Sequence, residues 1–310
     1  MNNEYRIMNI EYRIRHSSFV IRHSIFNSPR PYILNPKLYT GLTLIEILVV
    51  LTIIVLLVSI LIPATAMVQR AAKDAKQHAH FSSIELALGA FRNDYTDYPP
   101  SYGGTVTPPS YTNYCGAQKL AEAMLGWDML GFHPKSDFTA NGRNNQNVFV
   151  YDVNNPIFLD QRRTYLELGT SNAFKVGSLF ANTAPLAANT YVLCDVFSRK
   201  KVRLPNGTTV MAGAPILYYR ADTTKKKIRE IYNYGDNGAI IYIKDQSDNA
   251  GLNKNPLGLA TDQYQYFYNY ITDPKREAIA WPYKSDSYIL ISAGADGLYG
   301  TSDDIRNFGN

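Results

Sequence analysis

The segment from residue 40 to residue 64, TGLTLIEILVVLTIIVLLVSILIPA, decides the fold. Residues 42–62 are apolar apart from Glu46 and a few hydroxyl side chains, and about 20 such residues span a bilayer. A charge inside a bilayer costs about 2.5–3.5 kcal/mol on insertion scales. Glu46 is therefore either a functional carboxylate or one that lies at the membrane surface. Apolar residues on both sides of Glu46 favour a functional role.

The composition predicts a folded body and argues against nucleic-acid binding. The chain has 310 residues, of which 45% are hydrophobic and 18% are charged, with a net charge of +5. Most of this positive charge precedes Gly41, so the rest of the chain is close to neutral. The sequence has no P-loop, no G-x-S-x-G, no H-E-x-x-H and no C-x-x-C motif. We therefore expect that the chain is not an enzyme.

The charge distribution predicts the orientation in a membrane. The N-terminal basic residues precede the apolar segment, so the positive-inside rule places the N-terminus in the cytoplasm and the body outside. A secretory signal peptide is the competing interpretation, because the small residues Ala64 and Ala66 follow the apolar segment as candidate cleavage positions.

The sequence divides into four parts. Residues 1–41 contain a seven-residue repeat and are interpreted as a leader whose start is set too far upstream. Residues 42–63 are predicted to form the membrane-spanning half of a helix, and residues 64–97 its amphipathic half. Residues 98–310 then form a β-rich body.

Helical periodicity continues beyond Pro63 to about Asp94. We expect Pro63 to kink this helix rather than end it, since membrane helices tolerate proline. Apolar and small side chains recur at steps of three and four, as on one helix face: Val68, Ala72, Ala75, Ala79, Phe81, Ile84, Leu88, Phe91 and Tyr95.

The remainder reads mostly as strands and turns. A short helix is predicted over 117–130, with Leu120, Met124 and Trp127 on one side, and a hairpin turn at Asn206-Gly207. Strands are predicted for PILYYRAD (215–222), GAIIYIKD (238–245) and DSYILISAG (286–294), and the alternating tyrosines 264, 266, 268 and 270 also indicate strand packing.

The stretch GLTLIEILVVLTIIVLLVSILIPA resembles the N-terminal signal of type IV pilins and pseudopilins, with Gly41, Glu46 and Pro63 at matching positions. The resemblance implies that a prepilin peptidase cuts between Gly41 and Leu42 and that Leu42 is then N-methylated. Leucine stands here where the family most often has phenylalanine. The implied fold is α+β, with a long N-terminal helix packed on an antiparallel sheet and an enlarged variable region.

The resemblance also implies a role for Glu46 in assembly. Cleavage leaves an ammonium group at Leu42, and a buried carboxylate favours such a partner in its own chain or in the next subunit of a fibre. The implied partners are the prepilin peptidase, further copies of the chain, minor pseudopilins and the inner-membrane assembly platform. The implied location is a single pass of the inner membrane, with the body periplasmic, followed by a periplasmic or cell-surface filament.

Two functions remain to be compared. The first is a subunit that polymerises into a pseudopilus or pilus, for type II-like protein secretion. The second is a single-pass envelope binding domain for a carbohydrate or surface ligand, which keeps its N-terminus and does not polymerise.

The loop SAGADGLYGTSDDI (292–305) is a second candidate site. Aspartates on a glycine-rich loop suit Ca²⁺, which takes 6–8 oxygen ligands. A loop held by Asx-type hydrogen bonds without metal is an equal alternative. The loop also resembles the calcium loop of the major pseudopilins, and this implies Ca²⁺ held by side chains and backbone oxygens at Asp296, Asp303, Asp304, Ser292 and Leu298.

Two further features have alternative interpretations. Cys115 and Cys194 both lie in the exported part, where they either form a disulfide or remain buried thiols. The basic clusters at 199–203 and 225–229 either form solvated faces or contact DNA or an acidic polysaccharide.

Overall fold

The computed structural model describes residues 41, 43–102, 113–204, 206–249, 255–258, 263–276 and 279–309. The predicted leader up to residue 40 and the predicted new N-terminus, Leu42, lie outside the described residues. The chain divides into two units between Leu56 and Leu57. The described residues form an α+β structure, as predicted, with a long N-terminal helix and small antiparallel sheets.

The helices and strands follow in chain order. The helices are α1 (Leu44–Tyr95), α2 (Gly116–Leu125), α3 (Pro156–Asp160), α4 (Leu168–Ser171), α5 (Val176–Leu179), α6 (Ile228–Ile231), α7 (Gly235–Asn249) and α8 (Gln263–Ile271), with a 3-10 turn at Pro256–Gly258. The strands are β1 (Ala173–Lys175), β2 (Tyr191–Leu193), β3 (Lys200–Arg203), β4 (Thr209–Ala212), β5 (Leu217–Arg220), β6 (Tyr288–Ser292) and β7 (Ile305–Arg306).

Helix α1 continues through Pro63, as predicted, and its C-terminal part packs on the body. Its buried face consists of Gln77, His80, Phe81, Ile84, Ala87, Leu88 and Phe91. The small and apolar residues that precede this face in the predicted stripe, Val68, Ala72, Ala75 and Ala79, lie in α1 and are exposed. They continue the spacing of the apolar stripe, but burial requires a packing partner as well as a pattern.

The three-stranded sheet β5-β6-β7 separates two apolar cores. Side chains alternate along β6: Tyr288 and Leu290 belong to the core that contains the buried face of α1, whereas Ile289 and Ile291 belong to the other core. The first core also includes five of the ten residues of α2, and the second includes side chains of α7 and α8. Because both faces are covered, all five residues of β6 are buried.

Two predicted strands are helices. The segment 238–245 lies in α7, where Ala239, Ile240, Ile241 and Ile243 are all buried; a short apolar run has no periodicity that separates a buried strand from a buried helix. The alternating tyrosines lie in α8, where Phe267 and Ile271 complete a helical stripe with Tyr264 and Tyr268. The period of two was therefore a coincidence within a pattern of period 3.6.

Other local predictions are confirmed. The hairpin β3–β4 pairs Val202 with Val210 across a turn in which Gly207 has φ +83°. A strand is found at β5 and another at β6, although β7 follows β6 and is the last strand. The predicted short helix is α2, but it ends at Leu125, before Trp127.

Candidate functional site

The start of α1 is closed by reciprocal hydrogen bonds between Thr43 and Glu46. The amide and the hydroxyl of Thr43 both donate to Glu46 Oε2, at 2.8 and 2.9 Å. The Glu46 amide donates to Thr43 Oγ1 at 3.3 Å. This is a capping box, which satisfies amides that have no acceptor within the helix. The carboxylate therefore stabilises its own helix.

This capping role was not predicted, although the spacing Thr-x-x-Glu indicates it. Both hydrogen bonds that the Glu46 carboxylate accepts go to Oε2, and no hydrogen bond to Oε1 is found among the described residues. The second oxygen can therefore accept from an ammonium group while the cap is intact. Gly41, on the N-terminal side of the predicted cleavage position, is exposed.

The segment Ile47–Ile62 of α1 exposes apolar side chains on all sides. Their exposed fractions run from 44% at Ile47 to 67% at Val55. The hydroxyl of Thr52 donates to the Leu48 carbonyl at 2.8 Å, so this polar group is satisfied inside the helix. The helix is long and apolar enough to cross a membrane, with none of its most apolar window buried, and it fits the predicted single span.

In the C-terminal loop, two of the three predicted aspartates lie together. Asp303 Oδ2 accepts from the Asp296 amide at 2.8 Å, and Asp303 Oδ1 accepts from the Thr301 hydroxyl at 2.7 Å. Asp296 Oδ1 accepts from the Leu298 amide at 2.7 Å. Partial burial raises the pKa of Asp303, but the hydrogen bonds from Thr301 and from the Asp296 amide outweigh it and leave this pKa below its ordinary value.

The third aspartate, Asp304, shares Thr301 with Asp303, because the Thr301 hydroxyl also donates to Asp304 Oδ1 at 3.4 Å, but its other oxygen has different partners. Its Oδ2 accepts from the Gly300 amide at 2.7 Å and from the Tyr270 hydroxyl of α8. Burial raises the pKa of Asp304 to about 6, although these hydrogen bonds favour the ionised form. Asp304 therefore ties the loop to α8.

Ser292, a further predicted ligand, turns away from the other side chains of the set. Its hydroxyl lies 3.1 Å from Asp195 Oδ2 and donates to it. Asp195 is fully buried between β2 and β3, and burial raises its pKa to about 7. The carbonyl of Leu298 accepts from the Thr301 hydroxyl at 3.3 Å.

Two basic side chains of the chain itself bind the backbone of this loop. The Arg199 guanidinium donates to the Ala295 carbonyl, and the buried Lys244 ammonium donates to the Gly297 carbonyl. Among the described residues, no group of three or more histidine, cysteine, aspartate or glutamate side chains is arranged to hold a metal ion. Each of the three aspartates already accepts a hydrogen bond in this structure, and Ca²⁺ binding stays a prediction.

The two cysteines are separate buried thiols in the structure. This agrees with the second of the two alternatives and not with a disulfide. Burial raises the pKa of Cys115 to about 12, and burial also raises the pKa of Cys194. Both thiols therefore act as core side chains.

Sequence reasoning also missed a buried carboxylate in α2. Glu122 accepts from the hydroxyls of Tyr114 at 2.5 Å, of Tyr151 at 2.7 Å and of Ser136. Burial raises its pKa, and the three hydroxyls oppose this rise. Glu122 thus anchors the long loop 132–155 to α2, and no spacing in the sequence indicates these distant partners.

No protein-family model matches the chain, and no curated protein sequence or solved structure matches it.

Proposed function

We propose that the chain is a pilin-like structural subunit that a prepilin peptidase cuts between Gly41 and Leu42. The processed subunit is anchored in the inner membrane by the first half of α1 and then polymerises with further copies into a pseudopilus-type filament for protein secretion. Minor pseudopilins and an inner-membrane assembly platform are the further partners of this proposal. The observation that carries it is the exposed apolar segment Ile47–Ile62 of α1, which follows a carboxylate that caps the helix start.

The position of Glu46 supports a role in register. Cleavage would place the new ammonium at Leu42, next to Thr43, whose amide already binds the Glu46 carboxylate. The free Oε1 can pair with this ammonium or with that of a neighbouring subunit. Such a pair is worth most where water is excluded, as it is between packed apolar helices.

The first experiment is N-terminal peptide and intact mass spectrometry of the chain from native membranes. We expect a chain that begins at N-methylated Leu42. A chain that keeps residues before Gly41 would support the anchored binding domain instead, and a chain cut after Ala64 or Ala66 would indicate an ordinary signal peptide.

The second experiment separates the charge of Glu46 from its cap. Glu46→Gln keeps a capping acceptor but removes the charge, whereas Thr43→Ala removes the cap hydroxyl and keeps the charge. We expect Glu46→Gln to be processed but to form few filaments in electron micrographs, and Thr43→Ala to assemble. Normal filaments from Glu46→Gln would contradict the register role.

A further inference from the structure

A cavity of about 420 Å³ lies beside the C-terminal loop, within the second unit of the chain. This volume is in the range of small-molecule sites. Its wall combines the end of α5, the start of β3, residues 213–215, α7 and residues 296–298. It is distinct from the start of α1, on which the proposed function depends.

The cavity is lined by more positive than negative charge. Arg199, Lys200 and Lys244 line it, and Asp296 is the one carboxylate among its lining residues. Asp296 Oδ1 is already bonded to the Leu298 amide. Among the described residues, neither Arg199 nor Lys200 forms an ion pair with a carboxylate.

The basic groups are held in place by backbone carbonyls. Lys244 is 3% exposed and donates to Gly297, and Lys200 donates to the Leu179 carbonyl. Arg199 packs so closely that a β-carbon at Gly297 would lie 2.4 Å from its Cζ. A guanidinium has five donors and an ammonium three, so a bond to one carbonyl leaves donors of Arg199 and Lys200 for a ligand. These charges are therefore preorganised at the cavity.

The other walls are apolar and buried. Leu179, Phe180, Ala214 and Pro215 are buried, and Leu298 is partly buried. Arg199 and Asp296, which also line the cavity, are exposed. A charge that binds between apolar walls is weakly screened by water, so each charge-assisted hydrogen bond to it is strengthened.

We propose that this cavity binds a small organic anion, with its carboxylate on Arg199 and Lys200 near Lys244 and a ring-sized body against the apolar walls. An inorganic anion would leave these walls unused, and a neutral ligand would leave the basic groups unused. The site goes beyond the proposed function and holds whether or not the chain polymerises.

The test is calorimetric titration of the full chain in a nonionic detergent. The probes are galacturonate, the neutral ring galactose, acetate and inorganic sulfate. We expect saturable binding of galacturonate, with weaker binding of the other three. Equal binding of galactose, equal binding of sulfate, or no saturable binding of galacturonate would each overturn the proposal.

A matched pair of variants locates the site. Arg199→Gln/Lys200→Gln removes two charges that line the cavity. Lys201→Gln/Arg203→Gln removes two exposed charges of β3 that do not line it. We expect the first variant to weaken galacturonate binding at least about tenfold and the second to leave it unchanged. Equal weakening in both would overturn the proposal, since it would indicate bulk charge.

Because Arg199 also binds the loop backbone, the single variant Lys200→Gln is titrated in parallel. Its thermal unfolding, followed by the fluorescence of Trp127 and Trp281, verifies the fold. Weakened galacturonate binding by this folded variant is expected, and unchanged binding by it would overturn the role of the cavity.

Discussion

Two segments of α1 have the same backbone structure and opposite surroundings. From Ile47 to Ile62 the side chains are apolar and exposed, whereas from Gln77 to Phe91 one face is buried against α2 and the sheet. The first segment has no polar face, and the second has one. The surface of Ile47–Ile62 therefore still needs an apolar environment outside the chain. The apolar face of Gln77–Phe91 is already covered by other residues of the same chain.

Because of this difference, we expect the stability of the body and the assembly of the chain to depend on different segments of α1. Substitutions in Gln77–Phe91 should change the folding of the body, and substitutions in Ile47–Ile62 should change only insertion and assembly.

The largest effect is expected for Leu88→Ala. Leu88 is fully buried, so its truncation should lower the free energy of unfolding by about 2–5 kcal/mol. Leu86, on the same helix, is 78% exposed, and Leu86→Ala should change the free energy of unfolding by less than about 0.5 kcal/mol. Urea denaturation in detergent, followed by tryptophan fluorescence, measures both. Similar losses in the two variants would contradict the described packing of α1.

The next effect is on membrane insertion. Val55→Arg places a charge in the apolar segment, at a cost of about 2.5–3.5 kcal/mol, and should reduce the fraction of chain in the membrane pellet. Val68→Arg is the control, because Val68 is equally exposed but lies beyond Pro63. Neither variant should change the unfolding of the body. Full membrane retention of Val55→Arg would argue against this segment as the span.

Calcium binding by the C-terminal loop predicts stabilisation by Ca²⁺. At a free concentration 100 times the dissociation constant, a ligand that binds only the folded state adds about 2.7 kcal/mol. We expect Ca²⁺ to raise the melting temperature, Mg²⁺ to do so less because it demands a more rigid geometry, and Asp303→Asn/Asp304→Asn to abolish the effect. An unchanged melting temperature after Ca²⁺ addition would favour the hydrogen-bonded loop without metal.

The last effect concerns pH and belongs to the body. Burial raises the pKa of Asp236 to about 7, because Ser101 and the Lys119 charge only partly compensate for the loss of water. The folded state therefore binds this proton more tightly than the unfolded state. The associated stability is fully present below about pH 4 and is lost as the pH rises through about 7, at about 1.4 kcal/mol for each pKa unit.

The variant Asp236→Asn should thus reduce the loss of stability between pH 5 and pH 8, measured by denaturation at each pH. Asp222→Asn is the control. The pKa of Asp222 is lowered by hydrogen bonds from Thr224, so it stays ionised throughout this window. An unchanged pH profile in Asp236→Asn would mean that Asp236 does not titrate in the folded state at these pH values.

The predictable parts of the fold depended on local patterns. The stripe from Phe81 to Phe91 predicted the packing face of α1, and Asn206-Gly207 predicted the hairpin, because helical spacing and turn chemistry are local properties. The segment 238–245 was misassigned because a short apolar run fits a strand as well as a helix. Only its position in the second core, among Phe267, Ile289 and Tyr219, distinguishes the two.

The candidate sites also include one that a local pattern predicts and others that depend on residues far apart in the chain. The cap formed by Thr43 and Glu46 can be predicted from residues 43–46 alone, since a capping box depends on the spacing Thr-x-x-Glu. The contacts of Asp304 with Tyr270, of Ser292 with Asp195 and of Glu122 with Tyr151 join residues far apart in the chain, and no local pattern predicts such partners.

The sequence by itself therefore determined the apolar helix, its amphipathic continuation and the carboxylate at its start, because each follows from local composition and period, whereas the α+β class was implied by the family resemblance. Only the tertiary structure decided which face of each strand meets which core, which carboxylates lose their water and where Arg199, Lys200 and Lys244 converge. Burial and charge proximity are properties of distant residues brought together, and they exist only after the chain has folded.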